Sequence, residues 1–313
     1  MARDSHPRIP ELEAFLADHP GRDFDRGGLR LHYLDEGQGD PVVMVHGNPT
    51  WSFYYRRLVE ALRPAYRTIV PDQIGCGLSD KPDDARYRYT LATRVEDLES
   101  LLDHLGLDHG ITLVLHDWGG MIGMTYAARH PERIARLVIM NTAAFHMPKS
   151  KRIPWALWMA RNAAVGSLAV RGLNAFARGT AWIGCTRRRL ARSLRDAYVA
   201  PYDSWDNRIA IHRFVQDIPL RPGDHCYDMV SWVEERLDRL AGVPMLVAWG
   251  MKDFVFDRPF LHEWLRRFPR AEIHEYSEAG HYVLEDNAEA LVPLIREFLD
   301  SRSREFAPGS APA

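Results

Sequence analysis

Three observations predict an α/β fold, a doubly wound and mostly parallel sheet with an inserted α-helical cap. Short continuous apolar runs recur along the chain. They alternate with segments whose apolar residues fall three and four apart. Between about 149 and 236 the strand runs stop while the helical spacing continues.

The runs are "PVVMVHGN" (41–48), "YRTIVPDQIG" (66–75), "ITLVLHDWGG" (111–120), "RLVIMNTA" (136–143) and "VPMLVAWGMKD" (243–253). Unbroken β-branched runs of this length suit strands buried on both faces, as in a parallel sheet. Between them lie helical patterns such as "LATRVEDLESLLDHLGL" (91–107). Such alternation implies helices on both faces of the sheet. Ligands then bind beyond the carboxyl ends of the strands, where the Gly, Asp and Asn punctuation collects.

The spacing divides the chain into a first core part at 1–148, a cap at 149–236, a second core part at 237–302 and a small, polar tail at 303–313 that reads as disordered. The apolar stretch from Ile153 to Gly184 raises the question of a membrane span. Arg161, Arg171 and Arg178 interrupt it, which favours cap helices. At 313 residues the chain can bury a sizeable core. A net charge of −2 does not point to nucleic acid or a membrane surface as the main partner. The opening "MARDSHPRIPELEAFLADHP" has no signal-peptide core, and Cys76, Cys185 and Cys226 are far apart, so a cytoplasmic protein with reduced thiols is expected. The cysteines and histidines do not form a metal-ligand pattern, and the expectation is of no metal and no cofactor.

Three residues carry the chemistry. Asp117 sits where the run 111–117 gives way to "WGGMIGMTYAAR". A plain helix cap is the commoner fate of such an aspartate, but Gly119 and Gly120 permit a tight turn with close strand–helix packing that a cap does not require. This strand–turn–helix layout usually presents a serine nucleophile in G-x-S-x-G, and Leu115 stands where that pattern has its first glycine. His281, in "YSEAGHYVLED", follows a final strand and a glycine, the place of a general base. Asp253, after strand and glycine, is placed to hold that imidazole. Asp257 is its rival, or a cap for the next helix, while Asn141 is not a carboxylate.

In "HGNPTW" (46–51) a loop N–H, with that of Trp118, can form an oxyanion hole. The Asn48 amide and Trp118 indole are neutral donors beside it, suited to holding a departing anion. The side chain of His116 is expected to point away from the nucleophile. The basic run "TRRRLARSLRD" (186–196) reads as a solvated helix face. Trp155, Trp158, Phe176 and Trp182 are candidates to line an apolar pocket, although aromatics at helical spacing also pack cores.

These residues resemble the α/β-hydrolases with an aspartate nucleophile, above all the haloalkane dehalogenases. The likeness runs over roughly residues 25 to 300 and includes "VHGNPTWSFYYRRL", "DQIGCGLSDKP", "HDWGG" and "YVAPYDSWDNRIAIHRFVQDIP". It implies Asp117 as nucleophile, His281 as base, Asp253 as acid, and Asn48 with Trp118 as the anion-binding pair. The chain is similar in "NTAAFHMPKSKRIPWALW" and "VRGLNAFARG" to a branch of this group, the β-lactone decarboxylases of bacterial long-chain olefin biosynthesis. That resemblance implies conversion of cis-3-alkyl-4-alkyloxetan-2-ones to cis-alkenes and CO2. It also implies a small apolar substrate with long alkyl chains, and assembly with the β-lactone synthetase and reductase of the pathway. Hydrolytic dehalogenation is the alternative. Epoxide hydrolysis comes third, because Asn48 departs from its pattern and its paired cap tyrosines would have to be Tyr198 and Tyr202. A non-enzymatic binder has no need of a nucleophile and a base together.

The residue type is itself informative. A carboxylate is ionised at neutral pH and attacks without a base. On saturated carbon it forms an ester that can be resolved, where a serine would leave a stable ether.

Overall fold

The computed structural model describes residues 9–161 and 163–303. The tail expected from residue 303 lies outside them, apart from Ser303, which ends the last helix.

Eight strands make one sheet: β1 (Arg22–Asp25), β2 (Arg30–Glu36), β3 (Pro41–Val45), β4 (Arg67–Pro71), β5 (Ile111–Asp117), β6 (Ile134–Thr142), β7 (Met245–Gly250) and β8 (Glu272–Tyr276). Their order is β1-β2-β4-β3-β5-β6-β7-β8. β2 runs antiparallel to β1 and β4, and every pairing from β4 through β8 is parallel. The five apolar runs are the five central strands. β1 and β2 carry "RDFD" and "RLHYLDE", with charges between the apolar residues, because β1 is an edge strand and its four residues are not buried.

The core lies in two layers. Along each parallel strand successive side chains leave the sheet on opposite faces. Val43 and Val45, Leu113 and Leu115, and Leu137 and Ile139 join one cluster, while Val42 and Met44, Val114, and Val138 and Met140 join the other. Helices cover both: α1 (Pro10–Asp18), α2 (Arg56–Leu62), α3 (Leu91–His104), α4 (Trp118–Arg129), and after the sheet's midpoint α5 (Trp155–Arg161), α6 (Ala163–Gly166), α7 (Ala175–Ile183), α8 (Arg192–Val199), α9 (Ile209–Gln216), α10 (Tyr227–Glu234), α11 (Arg258–Arg267), α12 (Val283–Asp286) and α13 (Ala288–Ser303). α3 shows how local chemistry sets the ends. Thr90 caps it by accepting the Thr93 N–H at 3.3 Å, and Gly106 follows with φ +67°, a conformation that favours glycine.

Between β6 and β7 the chain forms only helices among the described residues: α5 to α10, with a π-helical stretch at Ser167–Gly172. No helix among the described residues is long and apolar enough to cross a membrane. The three cysteines are buried and unbridged.

Candidate active site

Asp117 is the last residue of β5 and the first before α4, with φ 51° and ψ −126°. A side chain is rarely found there, and the surrounding packing has to hold it. Gly119 shows how tightly the turn fits: an added Cβ would stand 1.9 Å from the Val45 carbonyl oxygen of β3. At Gly120 it would stand 1.8 Å from Thr142 Oγ1, whose hydroxyl donates to the Asp117 carbonyl. The bend therefore lifts the Asp117 carboxylate off the carboxyl edge of the sheet.

The two carboxylate oxygens are treated differently. Oδ1 accepts the backbone N–H of Asn48 at 2.6 Å, and the Trp118 N–H also stabilises the ionised group. Oδ2 lies 3.7 Å from His281 Nε2. Oδ1 is thus anchored by the loop N–H of Asn48, while Oδ2 is the oxygen on the histidine side. Burial raises the Asp117 carboxyl above the usual aspartate value, and the His281 charge and the two N–H groups offset only part of that.

His281 sits in the loop between β8 and α12. Its Nδ1 bonds Asp253 Oδ2 at 2.8 Å. Asp253 lies beyond β7, and its other oxygen accepts the Val255 N–H at 2.7 Å. Burial works against the imidazolium, but the Asp253 charge and hydrogen bond, with Asp117 beyond, raise His281 above its ordinary value. Burial likewise opposes ionised Asp253, and His281 together with the Val255 and Phe256 N–H groups carries it below its ordinary value. The order along this path is Asp117, His281, Asp253.

Two neighbours of the triad resolve differently from one another. Asp257 stands at the N-cap position of α11 without a side-chain cap bond, and accepts from Lys151 Nζ at 2.7 Å. It does not hold the histidine. His116 does turn away from the cavity, and its Nε2 reaches the His281 carbonyl oxygen at 2.8 Å. Burial pushes its pKa down to about 3, so the ring is a neutral donor that ties β5 to the histidine loop. Alternation along β5 carries that signal, since His116 must leave the sheet on the face opposite Leu115.

The cavity over Asp117 encloses about 90 Å³ and is almost wholly apolar. Trp118, Met121, Phe145, Leu157, Ile218 and Phe256 are among its lining residues. Lys151 also reaches its wall, a cation that the sequence did not single out. Trp118 lines the cavity as expected of an anion donor. Asn48 does not: its Nδ2 donates to the Ile211 carbonyl at 3.1 Å, leaving one amide hydrogen uncommitted. The backbone of α9 intercepts the amide, and that contact depends on how the cap packs.

None of Trp155, Trp158, Phe176 and Trp182 lines this cavity, which corrects the expectation drawn from helical spacing. Trp155, Trp158 and Trp182 are exposed, and Phe176 packs at the edge of the core. Periodicity marks a shared side of a helix without saying what that side meets. Instead, Pro154 and Leu157 line the cavity. Tyr198 and Tyr202 are buried elsewhere: Tyr198 OH donates to Glu285 at 2.5 Å and Tyr202 OH to the Thr50 carbonyl at 3.4 Å. Neither is placed to protonate an epoxide at Asp117.

The alpha/beta hydrolase fold family matches residues 40–288. A Shewanella oneidensis protein named cis-3-alkyl-4-alkyloxetan-2-one decarboxylase is 56% identical over 274 residues, covering 88% of this chain and 86% of the relative. A Xanthomonas campestris pv. campestris protein of the same name is 50% identical over 282 residues, covering 88% and 94%. Among solved structures, the haloalkane dehalogenase DatA from Agrobacterium tumefaciens C58 superposes with a TM-score of 0.81 at 25% identity, covering 90% of this chain and 96% of DatA. The chain belongs to the alpha/beta hydrolase fold family and, within it, to the group of the cis-3-alkyl-4-alkyloxetan-2-one decarboxylases.

Proposed function

We propose that the protein decarboxylates cis-3-alkyl-4-alkyloxetan-2-ones to cis-alkenes and CO2, with Asp117 as a covalent nucleophile. The observation that carries the proposal is the division of labour at Asp117, with Oδ1 anchored by the Asn48 N–H, Oδ2 beside His281 and the residue on the wall of an apolar cavity, in a chain 56% and 50% identical to proteins of that name.

In the first step Oδ2 attacks C4 of the lactone, and the C4–ring oxygen bond breaks with its electron pair leaving on what becomes a carboxylate. The Trp118 indole N–H, on the cavity wall, is the neutral donor for that anion, and the Asn48 amide would join it only by leaving the Ile211 carbonyl. In the second step the C3–carboxylate bond breaks. Its electrons form the C3–C4 double bond, CO2 departs, and the C4–Oδ2 bond breaks to restore the Asp117 carboxylate. Inversion at C4 followed by anti elimination returns a cis-alkene from a cis-lactone. No water enters and no proton is consumed. His281, held toward its charged form by Asp253, then acts electrostatically on Asp117. The competing route, attack at the lactone carbonyl, passes through an anhydride. Single turnover in oxygen-18 water separates the two if label enters Asp117 during productive reaction, which only an intermediate opened by water allows.

Gas chromatography after incubation with a synthetic cis-dialkyl β-lactone tests the assignment. One cis-alkene per lactone consumed is expected. Halide release from 1-bromoalkanes with the lactone untouched would give the site to hydrolytic dehalogenation instead. Supply of such a substrate by a β-lactone synthetase and reductase, inside the cytoplasm, follows from the same reading.

The pH profile distinguishes the chemistries further. Asp117 must be ionised, and its carboxyl is raised, so activity should fall with acid at a midpoint above 3.8. His281 is raised above 6.5. A base-catalysed hydrolysis would therefore rise about tenfold per pH unit below that raised value and level off above it, whereas alkene formation should show no such climb. An alkene rate still rising about tenfold per pH unit as pH approaches 6.5, and levelling off only above it, would make neutral His281 an essential base and overturn the water-free route.

A further inference from the structure

We infer that the outer layer of the cap is a docking surface for an anionic lipid bilayer. The overall charge of −2 conceals a strong division. Residues 149–208 hold twelve Lys and Arg against three Asp, a net +9, which leaves −11 on the rest of the chain. Such a dipolar charge distribution orients a protein as well as attracting it, because the body is repelled by the same surface that draws the cap.

The apolar side chains are divided in the same way. Of the ten large apolar side chains exposed among the described residues, eight fall between Trp155 and Trp205. Four are tryptophans, with Trp155 79% and Trp158 57% exposed. Trp155 and Trp158 are three apart on α5, and Val165 and Leu168 repeat that spacing. Guanidinium groups accompany the rings: Arg195 stands 4.2 Å over Trp182, and Arg171 stands 4.7 Å over Trp205. A solvated basic face, as the run 186–196 reads alone, does not need exposed Trp, Leu and Ile among its arginines. Nucleic acid would use the charge but has no place for the aliphatic side chains. An anionic bilayer uses both, with indoles at the headgroup level and arginines on the phosphates.

The surface adjoins the catalytic cavity through a single helix. Leu157 lines the cavity while Trp155 and Trp158 on the same α5 face outward. A substrate with two alkyl chains dissolves in a bilayer rather than in water, and it would meet the cap beside that roof.

The test uses the full chain floated with large vesicles of phosphatidylglycerol and phosphatidylethanolamine, or of phosphatidylcholine alone. Partition to the anionic vesicles should exceed that to the neutral ones at least about tenfold and fall in high salt. Arg188→Glu/Arg189→Glu/Arg192→Glu should weaken it at least about a hundredfold, since each basic residue near the surface counts for about fivefold or more. Trp155→Ala/Trp158→Ala should weaken it about tenfold. These side chains are exposed, so thermal melts of both variants should match the parent. Reversal of exposed charges on the body, Arg57→Glu/Arg88→Glu/Arg270→Glu, should not weaken it. Failure of the parent to float, equal floating with neutral vesicles, or equal loss from the body reversals would overturn the inference. So would retention of duplex DNA without vesicle binding. None of these outcomes depends on catalysis.

Discussion

Asp117→Gly should abolish alkene formation and make the protein more stable. The nucleophile occupies φ 51° and ψ −126°, a region that only glycine enters without strain. Holding another residue there costs about 1–3 kcal/mol, and the buried carboxylate adds its own desolvation. Glycine relieves both at the expense of chain entropy, leaving a gain of about 1 kcal/mol. In a chain of this size that raises Tm by about 2–4 °C. Asp117→Ala keeps the strained backbone and should show a smaller rise or none. Both variants lose the covalent step, and alkene formation should drop by about four orders of magnitude or more. Calorimetry and gas chromatography on the three proteins check the pair of effects, with spontaneous lactone decarboxylation subtracted. Alkene formation within tenfold of the parent in the glycine variant would remove Asp117 from the mechanism.

Gly119→Ala should be among the most destabilising methyl additions in the molecule. Its Cβ would lie 1.9 Å from the Val45 carbonyl oxygen and 2.6 Å from the carbon behind it. Both belong to the backbone of β3, which is paired on either side by β4 and β5. No side chain is available to swing aside, so the strand or the helix must move. A loss of at least about 3 kcal/mol is expected, or a fall in Tm of about 6–12 °C. The shift also carries the loop that holds Asn48, so the 2.6 Å bond to Asp117 Oδ1 should lengthen and activity fall further than stability alone explains. Gly179→Ala is the counterpart. It lies within α7 with nothing within 4 Å of an added Cβ, and should stabilise by about 0.4–1 kcal/mol. Equal melts for the two alanine variants would show that β3 and α4 are not packed as described.

How much was legible in advance depended on whether the signal was local. β3 to β7 each stand in the sequence around a short apolar run, because a strand buried on both faces keeps no side for polar alternation. β1 and β2 escaped because an antiparallel edge keeps polar residues on its open side. Asp117, Asp253 and His281 were legible because the carboxyl ends of parallel strands share one edge, and each follows such a strand. Lys151 was not, since its place on the cavity wall comes from pairing with Asp257, 106 positions away.

The sequence by itself determined the five central strands, the chain order of the three groups and the choice of a carboxylate at the bend, since strand burial, turn chemistry and ionisation state are set within a few residues of each position. The tertiary structure alone decided what the cap does. It turned the Asn48 amide onto the Ile211 carbonyl, brought Leu157 rather than the tryptophans over Asp117, and set Trp155, Trp158 and Trp182 outward, the last beneath Arg195. A helix's own spacing defines its sides, but only its neighbours determine which side is buried.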